Sequence, residues 1–175
     1  MTVYAIDPGK HSVYMATLRE ILAWSYQICS VREVRDTTDF SPIVDPEVVL
    51  EVPEVNRMVP AQDLIDVASL GNDIAGRIAG LTGKITKYTP SQWKGRLPKP
   101  IHHSRMWGQL TATERKLLGG RKTIEAIDAA CLRGARARWA KSGERYYRAS
   151  ELPKGITHNH LDAAALGLFY VGRMP

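Results

Sequence analysis

The pattern of apolar and polar residues predicts a β-sheet in the first half of the chain. Five short runs are rich in β-branched or aromatic residues and are bounded by Pro, Gly, Asp or charged residues, which is typical of strands. The fourth run is continuously apolar and ends in an acid, as expected of a strand buried on both faces of a parallel sheet. The predicted strands are residues 3–6, 13–18, 23–28, 47–52 and 84–88.

Helical periodicity follows the fourth strand and returns toward the C-terminus. Apolar residues at spacings of three and four predict a helix in which Gly71, Gly76 and Gly80 indicate close packing against the sheet. Thr111 and Glu114 form a capping-box pattern at the start of another helix. The predicted helices span residues 61–81, a segment from 111, residues 123–141 and residues 158–173, whereas 31–46 is expected to be irregular or one short helix and 89–99 a loop.

Three acids stand at the ends of predicted elements. Asp7 follows the first strand, Glu51 closes the fourth strand, and Asp162 lies early in the last helix. Each has a simple structural explanation when taken alone, because an Asp can cap a turn or favour a helix N-terminus. Their joint placement instead favours converging carboxylates, which phosphodiester hydrolysis by paired metal ions requires.

Composition indicates one globular domain without membrane segments. The chain has 175 residues, 44% of them hydrophobic and 24% charged. The two cysteines, Cys29 and Cys131, lack the spacing of a disulfide framework or a zinc site, which favours a reducing compartment. No apolar run approaches the length of a membrane span and no leader pattern occurs, so we expect a cytoplasmic protein with no membrane partner.

Positive charge is concentrated in one segment. Residues 84–148 contain 16 of the 24 Lys and Arg residues but only 4 of the 18 Asp and Glu residues. Such a segment attracts a phosphate polymer through counterion release, so nucleic acid is the expected partner. Trp93 has two open interpretations, since its ring can stack on an unpaired base or anchor the loop in the core. The candidate DNA contacts are Lys10, Trp93, Lys94, Arg96, Lys99 and Arg105.

The motifs resemble, in their order, RuvC-type Holliday-junction resolvases of the ribonuclease H-like superfamily. They are Asp-Pro-Gly at 7–9, Leu-Glu-Val at 50–52 and His-Asn-His-Leu-Asp-Ala-Ala-Ala-Leu-Gly-Leu at 158–168. The Pro-x-x-Trp-Lys-Gly-x-Leu-Pro-Lys loop at 90–99 is similar to that of phage-type members in particular. The likeness spans most of the chain.

This resemblance implies an α/β fold of the ribonuclease H-like type, with a mixed five-stranded sheet flanked by helices. It implies a single domain over residues 1–175 with a basic helical insertion at about 96–150. It further implies a homodimer, in a bacterial or phage-infected cell, that nicks four-way DNA junctions with Mg²⁺ or Mn²⁺, two ions per active site. Two alternatives stay open: a related nuclease for hybrids or other branched DNA, and a non-catalytic nucleic-acid-binding relative.

The resemblance also implies four metal-binding side chains. The fourth position falls on Asn159, a neutral oxygen donor, while His158 lies on roughly the same helical face and can also move a proton. Asp128 stands in a second acid-x-x-Asp-Ala pattern, but the flanking motif favours Asp162. The three positions that carry over directly are Asp7, Glu51 and Asp162.

Overall fold

Five strands form one mixed sheet in the order β3-β2-β1-β4-β5. The structure is a computed structural model, which describes residues 1–9, 11–35, 46–54, 60–80, 83–95, 97–136, 147–148 and 151–175. β1 pairs antiparallel with β2 and parallel with β4, so β1 is the central strand. β2–β3 is antiparallel and β4–β5 is parallel. The strands are β1 (Thr2–Pro8), β2 (Val13–Leu22), β3 (Ser25–Val34), β4 (Glu47–Glu51) and β5 (Lys84–Tyr88).

Both faces of the sheet are covered by helices. α1 connects the parallel strands β4 and β5 and packs on one face, while α6 packs on the other. α3, α4 and α5 extend the α6-side core. Trp107 of α3, Leu118 directly after α4 and Ile127 of α5 are buried in it. The helices are α1 (Ala61–Ala79), α2 (Pro90–Trp93), α3 (Lys99–Gln109), α4 (Ala112–Leu117), α5 (Gly120–Arg136) and α6 (His158–Tyr170).

Side-chain alternation along β1 explains why the sheet needs two cores. Val3 and Ala5 lie in the α6-side core, whereas Tyr4 and Ile6 lie in the α1-side core. On the α6 side the approach is close, because a Cβ at Gly167 would collide with the Leu18 side chain. The central strand is therefore held between α1 and α6, and its end is fixed in position.

The predicted fold class is confirmed by this sheet and its flanking helices. The predicted close packing of α1 holds at Gly71, where a Cβ would lie 3.0 Å from Pro8, but not at Gly76 or Gly80, where a Cβ would meet nothing within 4 Å. Gly80 instead ends α1 with a positive φ of 58°, which a glycine adopts without strain.

Several elements differ from the sequence-based prediction in their bounds or type. β3 begins at Ser25 and runs on to Val34, because antiparallel pairing with β2 extends the strand beyond its apolar run. α2 lies within residues 89–99, for which a loop was predicted, and α3 occupies a segment for which no helix was predicted. Residues 36–45 lie outside the described residues. Within the described residues, no helix combines the length and apolar character needed to cross a bilayer.

Candidate active site

Asp7 and Glu51 are neighbours because they end adjacent parallel strands. The register pairs Ile6 with Leu50, so the acids are the next residue on each strand. Ile6 and Leu50 face α1, and alternation therefore turns the two acids toward the α6 side. The strand ends thus present two carboxylates to the helix that covers that face.

Asp162 reaches the same place from α6. The helix starts after Thr157, whose capping box with His160 fixes its first turn. Asp162 is 1% exposed, and its charge acts on both Asp7 and Glu51. The structure therefore brings the three sequence-predicted acids into one cleft, which we call the acid cleft.

Glu51 is held by Trp93, the last residue of α2, and by Lys94, which follows that helix. Trp93 Nε1 donates a hydrogen bond of 2.7 Å to Glu51 Oε2. Lys94 Nζ lies 3.1 Å from the same oxygen and 4.9 Å from the centre of the Trp93 ring. One carboxylate oxygen therefore receives both a neutral donor and a cation.

Asp162 is held by α3. Lys99 and His103 are four residues apart on one helical face, and each contacts one carboxylate oxygen. Lys99 Nζ forms an ion pair with Oδ2, and His103 Nε2 lies 3.0 Å from Oδ1. Behind His103, the Tyr147 hydroxyl lies 2.7 Å from Nδ1, so the imidazole is fixed from both sides.

The three carboxylates differ in how well their charge is compensated. Burial, followed by the charges of Asp162 and Glu51, raises the pKa of Asp7 well above its usual range. Burial also raises the pKa of Glu51, against the opposing effect of Lys94. Burial acts on Asp162 in the same direction, but the hydrogen bond from His103 and the charge of Lys99 outweigh it and lower the pKa. The cleft therefore holds more carboxylate than its cations neutralise.

His158 and Asn159, the two candidates for the fourth metal ligand, lie in different surroundings in the structure. His158 Nδ1 lies 4.0 Å from Asp162 Oδ2 and 3.4 Å from Lys99 Nζ. Burial, then the charge of Lys99, lowers the pKa of His158 to about 4, so its imidazole is neutral at pH 7. Asn159 lies toward the β1–β2 turn, where its amide nitrogen would be 3.8 Å from a Cβ at Gly9.

The donor types in the cleft fit Mg²⁺ or Mn²⁺, because carboxylate and amide oxygens are the ligands these ions prefer. As the residues stand, no three described His, Cys, Asp or Glu side chains are close enough to hold an ion. The cationic partners of Glu51 and Asp162 are Lys94 and Lys99. A divalent cation at these acids would therefore have to replace the two ammonium groups.

The sequence-predicted DNA contacts fall into different environments. Trp93 is 3% exposed, so its ring anchors the loop in the core and is not free to stack on a base. Lys94 and Lys99 are paired with cleft acids, whereas Arg105 is exposed on α3. Lys10 and Arg96 lie outside the described residues.

Sequence reasoning missed His103 and Tyr147 as partners of the cleft. The signal for His103 was its spacing of four from Lys99, but this spacing has meaning only on a helix, and α3 was not predicted. Asp128, the other candidate acid, is exposed on α5.

Comparisons with known proteins find a likeness of overall fold. No family model and no curated protein matches the chain. A solved structure of T. thermophilus RuvC in complex with a Holliday junction substrate is similar at 14% identity and a TM-score of 0.47, covering 97% of this chain and 94% of that one. A second Thermus thermophilus RuvC structure is similar at 14% identity and a TM-score of 0.44, covering 97% and 95%.

Proposed function

We propose that this protein is a divalent-metal-dependent endonuclease that resolves four-way DNA junctions. The observation that carries the proposal is the meeting of Asp7, Glu51 and Asp162 in one buried cleft, with raised pKa values for the first two. A buried carboxylate with too little compensation destabilises a fold, so such a cluster indicates a site kept for a cation and for chemistry.

The proposal gives each cleft residue a role. Asp7, Glu51 and Asp162 would hold Mg²⁺ or Mn²⁺, with Asn159 or His158 as the fourth ligand. Two bound ions would supply an activated water and stabilise the leaving oxygen of the broken phosphodiester. Trp93 Nε1 and His103 Nε2 orient Glu51 and Asp162 through their hydrogen bonds.

Lys94 and Lys99 are the proposed phosphate contacts nearest the chemistry. Each lies within ion-pair distance of a cleft acid, so its ammonium group is positioned to meet a phosphate brought to the same carboxylates. The basic segment at 84–148 supports a DNA substrate. The resemblance of the motifs to RuvC-type resolvases supports a four-way junction as its form and a homodimer, and the loop at 90–99 supports a phage-type member.

The test compares wild-type protein with Asp7→Asn and Asp162→Asn on a labelled four-way junction, a linear duplex and an RNA:DNA hybrid. We expect wild type to nick the junction with Mg²⁺ or Mn²⁺, and both variants to bind it at least as tightly without cutting. Asp128→Asn is the matched control and keeps its activity, because Asp128 is exposed on α5. Normal cleavage by Asp7→Asn would contradict the proposed metal site. If wild type cut the RNA:DNA hybrid in preference to the junction, the hybrid would be the substrate instead of the junction.

A non-catalytic DNA-binding protein is the second candidate function. The observation in its favour is that Lys94 and Lys99 form ion pairs with Glu51 and Asp162, two of the acids that a metal ion would need. Under this alternative, wild-type protein binds the junction with a steep salt dependence and cuts none of the three substrates at any Mg²⁺ or Mn²⁺ concentration.

A further inference from the structure

The contact between Asp162 and His103 is one end of a chain of hydrogen bonds that continues behind the imidazole. His103 Nε2 lies 3.0 Å from Asp162 Oδ1, and His103 Nδ1 lies 2.7 Å from the Tyr147 hydroxyl. His103 is 0% exposed, and its ring stacks on that of Tyr147 with an angle of 26° between the planes. Each ring nitrogen therefore has a protein partner and is shielded from water.

The partners of the two nitrogens determine which one carries the proton. Although burial opposes it, the hydrogen bond from His103 and the charge of Lys99 lower the pKa of Asp162, so its carboxylate is ionised and can only accept. His103 Nε2 must therefore donate. Burial favours the neutral imidazole, in which Nδ1 is then an acceptor. The Tyr147 hydroxyl is its donor, because burial raises the pKa of Tyr147 and the proton is retained.

Tyr147 is itself held in place from α5. The Glu151 carboxylate accepts two hydrogen bonds from the Arg133 guanidinium, at 2.7 and 2.6 Å. Glu151 also accepts from the backbone N–H of Arg148, the residue after Tyr147, at 3.1 Å. Tyr147 packs against the α6-side core, in which Leu152 is buried. The hydroxyl is therefore positioned by contacts that do not involve the acid cleft.

We propose that Tyr147 is a positioning residue, which selects the Nε2–H tautomer of His103 and thereby orients Asp162 for metal binding. The inference rests on the proposed metal site and adds to it a residue from outside the cleft. In the other tautomer, a lone pair on Nε2 would face the lone pairs of Asp162 Oδ1, and the repulsion would turn the carboxylate away. In the tautomer set by Tyr147, Oδ1 is bound to His103, and Oδ2 is the oxygen available to an ion that replaces Lys99.

The first test measures the tautomer itself, in EDTA. Long-range ¹H–¹⁵N correlations of protein with ¹⁵N-labelled histidine show which nitrogen of His103 carries the proton. We expect the Nε2–H form in wild type and a mixture of both tautomers in Tyr147→Phe, which keeps the ring and loses only the hydroxyl. Tyr170→Phe is the matched control and should match wild type, because the Tyr170 hydroxyl donates to Glu47, at the opposite end of β4 from Glu51.

The second test measures the consequence for the metal ion by calorimetric titration. We expect Tyr147→Phe to bind Mn²⁺ about ten-fold more weakly than wild type, at the lower end of the range for residues that orient metal ligands. Tyr170→Phe should bind Mn²⁺ as wild type does. In a His103→Gln background, Tyr147→Phe should cause no further loss, because no imidazole tautomer is left to select.

The outcomes separate the role of Tyr147 from the proposed function. An unchanged tautomer in Tyr147→Phe would overturn the role of Tyr147, whatever the effect on Mn²⁺ binding. An equal loss of affinity with His103 and with Gln at that position would overturn it too, because Tyr147 would then only fill space. A tautomer shift in a protein whose wild type binds no Mn²⁺ would instead overturn the proposed metal site, and Tyr147 would position His103 alone.

Discussion

Among the described residues, buried carboxylates lie in two places whose surroundings differ, namely the acid cleft and the site of Glu114. Glu114 on α4 is 0% exposed, and it accepts hydrogen bonds from Ile28 N at 2.8 Å and from Arg173 Nη1 and Nη2 at 2.5 and 2.9 Å. Burial tends to raise its pKa, but these donors, chiefly Arg173, lower it to about 2. In the acid cleft, burial raises the pKa values of Asp7 and Glu51, and the charges of neighbouring acids add to this effect.

This contrast has a physical basis. A single acid surrounded by donors links three parts of the chain, here β3, α4 and the residues after α6, and stabilises the fold. Several acids with too few donors oppose folding unless a cation is bound. The hydrogen bonds of Glu114 therefore make it part of the framework, whereas Asp7 fits the proposed metal site.

Replacing each acid by its amide should move stability in opposite directions. Glu114→Gln removes the charge that compensates Arg173, and we expect a loss of about 3 kcal/mol in the free energy of unfolding. Asp7→Asn removes an uncompensated buried acid, and we expect a gain of about 1 kcal/mol in EDTA. Urea unfolding of both variants and wild type checks this, and a shared direction would mean that the two sites do not differ as described.

The pH dependence should sharpen the same contrast. The folded pKa of Glu114, about 2, lies below its unfolded value of 4.5, so its contribution is complete above pH 4.5 and is lost as the pH falls toward 2. The stability difference between wild type and Glu114→Gln should shrink over that window. A raised pKa acts in the opposite sense, so the gain in Asp7→Asn should appear only as the pH rises above about 4, the usual range of an aspartate. Unfolding series from pH 2 to 7 measure both trends.

His103 tests whether Asp162 needs its support from α3. His103→Leu removes the hydrogen bond to Oδ1, and we expect a 10- to 100-fold loss of metal affinity, as for other residues that orient ligands. His103→Gln can still donate to Asp162 and should recover part of the affinity. Calorimetric titration with Mn²⁺ provides the measurement, and equal affinities for both variants would show that His103 only fills space.

The acids of the cleft could be predicted from the sequence, whereas the residues that contact them could not. Asp7 and Glu51 follow apolar strands, and period-two alternation together with parallel pairing is enough to place them side by side. Lys99 and His103 could not be assigned, because their contact with Asp162 spans about 60 residues and depends on α3, whose opening Pro-Lys-Pro reads as a loop. The Glu114–Arg173 pair was missed for a related reason, since the capping box explained Glu114 locally while its partner lies 59 residues away.

Lys99 tests whether an ammonium group stands where a metal ion would bind. Lys99→Met removes a positive charge beside Asp162, and with it both the competitor and the repulsion toward a divalent cation. We expect Mn²⁺ to bind about ten-fold more tightly, equivalent to about 1.4 kcal/mol. Lys84→Met, at an exposed position on β5, is the matched control and should leave the affinity unchanged. Weaker Mn²⁺ binding by Lys99→Met would mean that the lysine supports the ion instead of competing with it.

The smallest expected effect is a change in the salt dependence of DNA binding, which shows whether Lys94 or Arg105 contacts a phosphate. Lys94 is paired with Glu51 and its side chain is 16% exposed, whereas Arg105 is exposed and lies outside the acid cleft. Each phosphate contact contributes about 0.9 to the slope of log affinity against log salt on duplex DNA. In EDTA, Arg105→Gln should therefore flatten the slope by about 0.9, while Lys94→Gln should change it less because Glu51 already neutralises that charge. Arg77→Gln, which removes the same charge on the α1 face, should leave the slope unchanged. If Lys94→Gln flattened the slope in EDTA as much as Arg105→Gln does, Lys94 would leave Glu51 for a phosphate even without a metal ion, and the ion pair of the structure would not persist on DNA.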